Sequence, residues 1–288
     1  TDLGIAKVYI ENREVPNATD TKKIPDLALE VIKLSFEIPK TAPPGVFLST
    51  AAACKKRTFE EFKETVEREN ENILGTSPLT GITDPREFVK KYWESMVPKP
   101  VPKSKSKTTP VKVRSERYAY EWNGTTLFDN RIKKFNLSNL ANALEFTASE
   151  QQIYFGINTT MILVGGKWTS SSWHTEDLDL ASVNYHHFGE DKIWAAVWPE
   201  SRDDFEKAIN RDLADAEEKK CSNILKHKRC FTDFEWLDRN EIRYTVIVQE
   251  AGSYIVVLPG VYHIVFNKGL NITEARNFIC LLWASSYS

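Results

Sequence analysis

Two periodicities divide the chain. In the first third, apolar residues return at helical spacing. Phe59, Phe62 and Val66 follow Thr58-Phe-Glu-Glu61, a reciprocal capping box, and Phe88, Val89, Tyr92 and Trp93 follow Asp84-Pro85, an acidic cap before a proline at the first helical position. Both stretches are expected to be scaffold helices. From Tyr118 onward the pattern changes to short β-type runs, at 160–164, 181–188, 192–198, 244–249, 254–258 and 263–266. Leu137, Leu140, Ala141 and Leu144 mark one intervening helix, and Phe205, Ile209 and Leu213 mark another that starts after Ser201. Phe188-Gly189-Glu190-Asp191 reads as the turn of a hairpin. Many short strands with few parallel crossovers predict an α+β protein: an antiparallel barrel or jelly roll with helices packed outside it.

Between Pro98 and Arg114 the pattern stops. Lys99, Lys103, Lys105, Lys107, Lys112 and Arg114 stand among prolines, serines and threonines with almost nothing to bury, so 98–117 is expected to be a basic mobile loop. A solvated linker is the plain reading of such a run, and weak contact with nucleic-acid phosphates is the other. The whole chain gives that second reading no help. Its 38 basic and 40 acidic residues leave a net charge of -2, so no global field draws it to nucleic acid or to an anionic membrane. With 41% hydrophobic and 27% charged residues over 288 positions the chain can bury a real core, which excludes disorder throughout. No apolar run approaches a membrane span, and Cys54, Cys221, Cys230 and Cys280 are too few and scattered to staple a chain of this size. A soluble, intracellular protein is expected. Triplets such as Asn123-Gly-Thr125 and Asn271-Ile-Thr273 would accept glycans in a secreted protein but arise often by chance, and they carry no weight.

The stretch richest in chemistry is Trp173-His174-Thr175-Glu176-Asp177. In an extended segment, side chains two residues apart share a face, so His174 and Glu176 can occupy adjacent positions on one metal ion. His-x-Glu alone is commonplace, and a third ligand must come from elsewhere. His263, 89 residues later in Pro259-Gly-Val-Tyr-His263, stands at a turn-to-strand junction and can supply it. Two histidines and one carboxylate on one face of a metal leave the other face open, which is the arrangement of non-haem Fe(II) oxygenases. His186, His187 and His227 are also available, and the first two read as structural histidines.

The surrounding sequence is more specific. The segment from Trp173 through Asn184 and Lys192 to Trp194 resembles the core of the JmjC family, in particular the JmjN/JmjC histone lysine demethylases. Gln249-Glu-Ala-Gly-Ser-Tyr and the run from Pro259 to Asn271, followed by Glu274-Ala-Arg-Asn277-Phe, resemble the second half of that core. Gly156-Ile-Asn-Thr159 and Asn123-Gly-Thr125 match further family segments, Gly4-Ile-Ala-Lys-Val8 resembles the end of a JmjN segment, and Lys90-Lys-Tyr-Trp93 resembles the helix between the two parts. The resemblance implies a double-stranded β-helix, the jelly-roll or cupin-like JmjC barrel, over 118–288, with a partial JmjN-like segment and helical linker over 1–97. It implies His174, Glu176 and His263 as ligands of Fe(II), and Tyr118, Asn184, Lys192 and Trp194 around 2-oxoglutarate. Gly156, Leu163, Ala275 and Asn277 would border the substrate. The activity implied is hydroxylation of an N-methyl group on a methyl-lysine of a histone tail, followed by loss of formaldehyde, on chromatin in the nucleus.

The chain also departs from that pattern. Met161 and Leu163 stand where tyrosines are expected around a methylammonium group, and an isobutyl group offers no oxygen dipole. Two alternatives to demethylation therefore stand: a JmjC protein hydroxylase, or a diverged chromatin-binding module with little or no turnover. Cys221 and His227 match two ligands of a structural zinc site whose remaining cysteines would fall beyond Ser288, and the other reading makes Cys221 and Cys230 ordinary small residues.

Overall fold

The computed structural model describes residues 3–10, 18–39, 42–74, 81–96, 111–140, 153–154, 156–213, 224–281 and 283. Its strands are β1 (Ile5–Tyr9), β2 (Glu30–Ile38), β3 (Val46–Ala53), β4 (Val111–Glu121), β5 (Met161–Gly165), β6 (Thr169–His174), β7 (Ala181–Gly189), β8 (Lys192–Val197), β9 (Cys230–Thr232), β10 (Tyr244–Gln249), β11 (Ser253–Val257), β12 (His263–Asn267) and β13 (Asn271–Phe278). They form a nine-stranded sheet in the order β1-β11-β7-β13-β5-β4-β2-β3-β9 and a four-stranded sheet in the order β10-β8-β12-β6. From β5 onward each successive strand lies in the opposite sheet from the one before it, which is the winding of a double-stranded β-helix. The jelly-roll expectation holds, with helices packed against it.

That winding corrects one detail of the sequence reading. The turn at 188–191 is not a hairpin: β7 belongs to the large sheet and β8 to the small one. Gly189, at φ +104°, makes the change of sheet, and a Cβ there would collide with the carbonyl oxygen of Leu270. The expected loop also ends early. Residues 111–117 belong to β4, which pairs with β2 on one side and β5 on the other, while 98–110 lie outside the described residues. The first 97 residues hold more than helices, since β1, β2 and β3 extend the large sheet.

The two expected scaffold helices form as α1 (Phe59–Leu74) and α2 (Pro85–Met96). The capping box is made in both directions, from Glu61 N to Thr58 Oγ1 at 3.3 Å and from Thr58 N to Glu61 Oε2 at 3.0 Å, and Asp84 caps Glu87 N at 2.7 Å. Two further helices, α3 (Arg202–Asp212) and α4 (Phe234–Arg239), complete the outer layer. Of the helix expected near Leu137, a single 3-10 turn at Leu137–Asn139 is described, and Ala141 and Leu144 lie outside the described residues.

Alternation along the small sheet sorts its residues. Ile193, Ala195 and Val197 of β8 and Ile264 and Phe266 of β12 join a core with Tyr92, Trp93, Phe205 and Trp236 from the helices. The alternate residues Lys192, Trp194, His263, Val265 and Asn267 line a cleft between the sheets. Buried on both faces, β8 thus carries an ammonium inward and β12 an imidazole, while their alternate positions pack against the helix layer.

Glu274 ties the far side of β13 to the amino-terminal part of the chain. Its fully buried Oε2 accepts from Leu127 N at 2.9 Å, Thr126 Oγ1 at 3.1 Å and His187 Nε2 at 3.1 Å, and His187 Nδ1 accepts from Thr19 Oγ1 at 2.8 Å. His187 is therefore the structural residue it was expected to be, as is His186, held between the carbonyls of Gln249 and Phe188. Glu274→Ala is expected to destabilise the fold by about 3 kcal/mol, because two buried donors and a half-buried hydroxyl lose their acceptor together. Urea denaturation checks it, and a loss below about 1 kcal/mol would show that the loop holds without the carboxylate.

Candidate metal centre

His174 ends β6 and His263 begins β12, and the two stand directly opposite in the β6–β12 ladder. Antiparallel pairing therefore brings together imidazoles separated by 89 positions, with ring centroids 4.2 Å apart. Glu176 is not in the strand with His174, as the alternation argument supposed. It lies two residues past the strand end, in extended backbone that leads into a 3-10 turn at Asp177–Asp179. Leu178 and Asp179 in that turn both have positive φ, at 57° and 50°. The Asp179 carbonyl accepts from Gly260 N and its carboxylate from Arg202 at 3.4 Å, so contacts to the neighbouring turn stabilise an unfavourable backbone. The result aims the Glu176 carboxylate back at the histidines, with Oε1 3.6 Å from His263 Nε2. One ligand atom from each of the three residues lies within 4.8 Å of the others. Among the described residues they are the only such group of three.

The protonation states suit ligation. Each histidine donates Nδ1–H to the backbone carbonyl two residues before it, His174 to Ser172 at 2.7 Å and His263 to Val261 at 3.0 Å. A carbonyl only accepts, so Nδ1 carries the proton and Nε2 presents its lone pair inward. Burial, then the neighbouring His263, push the His174 pKa down to about 3, and burial lowers that of His263. Burial works against the Glu176 charge, but both imidazoles and hydrogen bonds from Asn277 and Ser182 outweigh it and hold its pKa below the ordinary value. Neutral imidazoles and an ionised carboxylate are the forms that bind a cation. Trp194 stacks on His263 at 5.8 Å with the rings 24° apart, which fixes the imidazole plane.

Beside the triad the cleft holds a buried cation. Lys192 is 5% exposed, and its Nζ has one described partner, Thr273 Oγ1 at 3.5 Å, the outer limit of a hydrogen bond. Burial pulls its pKa down from 10.5 to about 7. Asn184 Nδ2 also reaches Thr273 Oγ1 at 3.3 Å, and Gln249 Nε2 donates to Asn184 Oδ1 at 3.1 Å while its Oε1 accepts from Trp194 Nε1 at 2.8 Å. Tyr118 lines the same cleft, its phenol pushed up to about 12 by burial, then by Tyr120 and Glu116. The site residues expected from sequence, Tyr118, Gly156, Leu163, His174, Glu176, Asn184, Lys192, Trp194, His263, Ala275 and Asn277, all line this one cleft of about 480 Å³.

Three residues of the site were not expected: Ser182, Gln249 and Thr273. Thr273 sat in a dismissed glycan triplet, whose Asn271 is fully buried. Of the zinc pair, His227 is exposed at the end of a 3-10 turn (Ile224–His227), and Cys221 lies outside the described residues.

A jelly roll in which two histidines of the small sheet and a carboxylate just beyond it meet at one end of a cleft offers a donor set that could hold a metal with open positions. Known proteins narrow the class. Residues 161–278 match the model of the JmjC domain, hydroxylase. The chain is 37% identical over 159 residues to the probable lysine-specific demethylase 4F of Homo sapiens, covering 55% of this chain and 25% of that protein. It is 33% identical over 240 residues to the lysine-specific demethylase 4D of Rattus norvegicus, covering 83% of this chain and 42% of that protein, and 28% identical over 281 residues to the lysine-specific demethylase 4B of Mus musculus, covering 97% and 23%. Residues 161–278 are a JmjC domain, and the chain spans between about a quarter and two-fifths of the length of these relatives.

Proposed function

We propose that this chain is an Fe(II)- and 2-oxoglutarate-dependent oxygenase that removes methyl groups from lysine side chains of histone tails. The observation that carries the reading is the pairing of His174, Glu176 and His263 with a buried ammonium, Lys192, that has no carboxylate partner among the described residues. The donor set fits the metal: two Nε2 lone pairs and one anion on one side, with the cleft on the other. The unpaired cation fits the acid, since Lys192, with Tyr118 and Asn184 near it, can receive the distal carboxylate of 2-oxoglutarate by charge-assisted hydrogen bonds. When bound, the metal and the keto acid would let dioxygen act as the oxidant, one of its oxygen atoms ending in succinate as 2-oxoglutarate loses carbon dioxide and the other inserting into a C–H bond.

The chain's own contribution is placement. Ser172 and Val261 hold the two imidazole tautomers, Ser182 and Asn277 orient the carboxylate, and Trp194 fixes the His263 plane. Met161, Leu163 and Val164 make an apolar wall that excludes water from the reacting methyl group. Hydroxylation of an N-methyl carbon yields a hemiaminal that releases formaldehyde. Under this reading the partners are methylated histone tails and chromatin, the location is nuclear, and the basic segment of 98–117 makes weak contact with DNA phosphates.

A second reading, a protein hydroxylase with a stable product, is favoured by Leu163 and Met161, which bring no hydroxyl to the substrate end. A panel of methylated histone peptides incubated with iron, ascorbate and 2-oxoglutarate separates the two by mass spectrometry. Loss of one methylene mass per methyl group, matched by succinate, is the expected result. Gain of one oxygen mass would establish the hydroxylase, and metal and keto-acid binding without any changed peptide would leave a chromatin-binding module.

A further inference from the structure

One wall of the cleft is aromatic in a way neither reading has used. Tyr118, Tyr120 and Trp122 alternate along β4 and just past its end, so all three face the cleft. Their rings form a ladder, with centroids 6.3 Å and then 4.7 Å apart and planes tilted by 37° and 55°. Exposure grades along it, from Tyr118, mostly buried toward the metal end, to Trp122, 40% exposed at the mouth. Register sets what lies opposite. Tyr120 pairs with Leu163 across the β4–β5 ladder, and a Cβ on Gly156 would meet Met161 Sδ at 3.7 Å and Trp122 Cε3 at 3.9 Å. Leu163 of β5 thus stands across the ladder from an aromatic residue of β4, and Met161 and Trp122 both border the space beside Gly156. Among the described residues no lysine or arginine of this chain stacks on any of the three rings, and neither tyrosine hydroxyl has a hydrogen-bond partner.

We infer that Tyr120 and Trp122 are specificity-determining residues that grip a methylated ammonium side chain through their ring faces and lead it to the metal end of the cleft. The inference rests on the demethylase reading for its choice of substrate and deepens it. An alkylammonium in contact with two aromatic faces gains a cation–π attraction that a neutral group of the same shape does not. The apolar residues opposite, Met161 and Leu163, suit the methyl groups and offer no competing acceptor.

The probe is a pair of histone-tail peptides, one carrying trimethyl-lysine and one the neutral tert-butyl isostere, titrated into the whole chain by calorimetry with Mn(II) and 2-oxoglutarate present. The charged peptide is expected to bind about tenfold more tightly. Tyr120→Ala and Trp122→Ala are each expected to reduce that ratio to near one, while Tyr120→Phe and Trp122→Phe keep it. Thermal shifts on adding 2-oxoglutarate show that the variants remain folded and loaded. Equal affinity for the two peptides, binding of neither, or an unchanged ratio in both alanine variants would overturn the assignment. Charge-selective binding that needs the ladder, without any methyl loss, would refute demethylation and leave the ladder standing. Methyl loss with an unaltered KM in the alanine variants would do the reverse.

Discussion

Replacing His174 by alanine is expected to abolish turnover and to weaken divalent-metal binding by more than about 100-fold. Outer partners of metal ligands are already worth about 10- to 100-fold in affinity, and His174 is itself one of three donors. The two left, His263 and Glu176, cannot compensate: the strand pairing that places His174 opposite His263 leaves no other described imidazole or carboxylate within reach. Titration with Co(II), followed by its visible absorption, reads the loss without any need for activity. The fold should survive, because His174 is half-buried at a strand end and its one hydrogen bond runs to a backbone carbonyl in its own strand. An unchanged far-UV circular dichroism spectrum then separates a lost site from a lost structure. His227→Ala is the matched control, since His227 is exposed and outside the triad, and it should bind Co(II) as the parent does. Undiminished Co(II) affinity in His174→Ala would remove the metal assignment and the oxygenase reading with it.

Much of this site was legible before any coordinates, and the rest was hidden for identifiable reasons. Alternation and turn residues located β5, β7, β8, β10, β11 and β12 to within a residue or so, because each is a short apolar run between glycine-rich or polar turns. Pairing was not legible. The turn at Gly189 looks the same whether the chain folds back on its own sheet or crosses to the other, and only the global winding decides. β4 was hidden by composition. Lys112, Arg114, Glu116 and Arg117 read as loop, yet the stretch pairs with β2, the strand goes on to pair with β5 from Ala119, and Glu116 is buried where Tyr92 and Ser170 donate to it at 2.6 Å. The candidate ligands His174, Glu176 and His263 stood out through the family resemblance of the sequence around them, since His-x-Glu alone is commonplace. Ser182, Gln249 and Thr273 did not, since hydroxyls and amides are ordinary β residues until a buried ammonium is placed beside them.

Lys192→Met is expected to act in opposite directions on binding and on stability. The substitution keeps the length and apolar character of the stem and removes the charge. A dicarboxylate that has lost its buried cation leaves its own charge uncompensated, so 2-oxoglutarate affinity should fall at least about 100-fold. Stability moves the other way. Burial holds the folded-state pKa of Lys192 near 7, against 10.5 when exposed, so between those values the unfolded chain binds the extra proton and the parent protein gains stability as pH rises. Below about pH 7 the folded chain must carry the ammonium in a low-dielectric cleft, and the whole penalty applies, with a ceiling of roughly 5 kcal/mol at about 1.4 kcal/mol per pH unit separating the two values. The ligand-free methionine variant should therefore be more stable than the parent by about 1 to 3 kcal/mol at pH 6, with the gain shrinking toward zero by about pH 10. Binding of 2-oxoglutarate to the parent should take up a proton above pH 7, since the bound carboxylate stabilises the ammonium, and affinity should decline as pH rises from 7 to 9. Calorimetry in two buffers of different ionisation enthalpy measures the uptake, and urea denaturation at pH 6 and pH 9 measures the stability. Should the variant bind 2-oxoglutarate as the parent does, Lys192 is not the anchor of the keto acid. Should it bind weakly yet be less stable at pH 6, the ammonium is paired in the free protein, and its isolation is not what prepares the cleft for an anion.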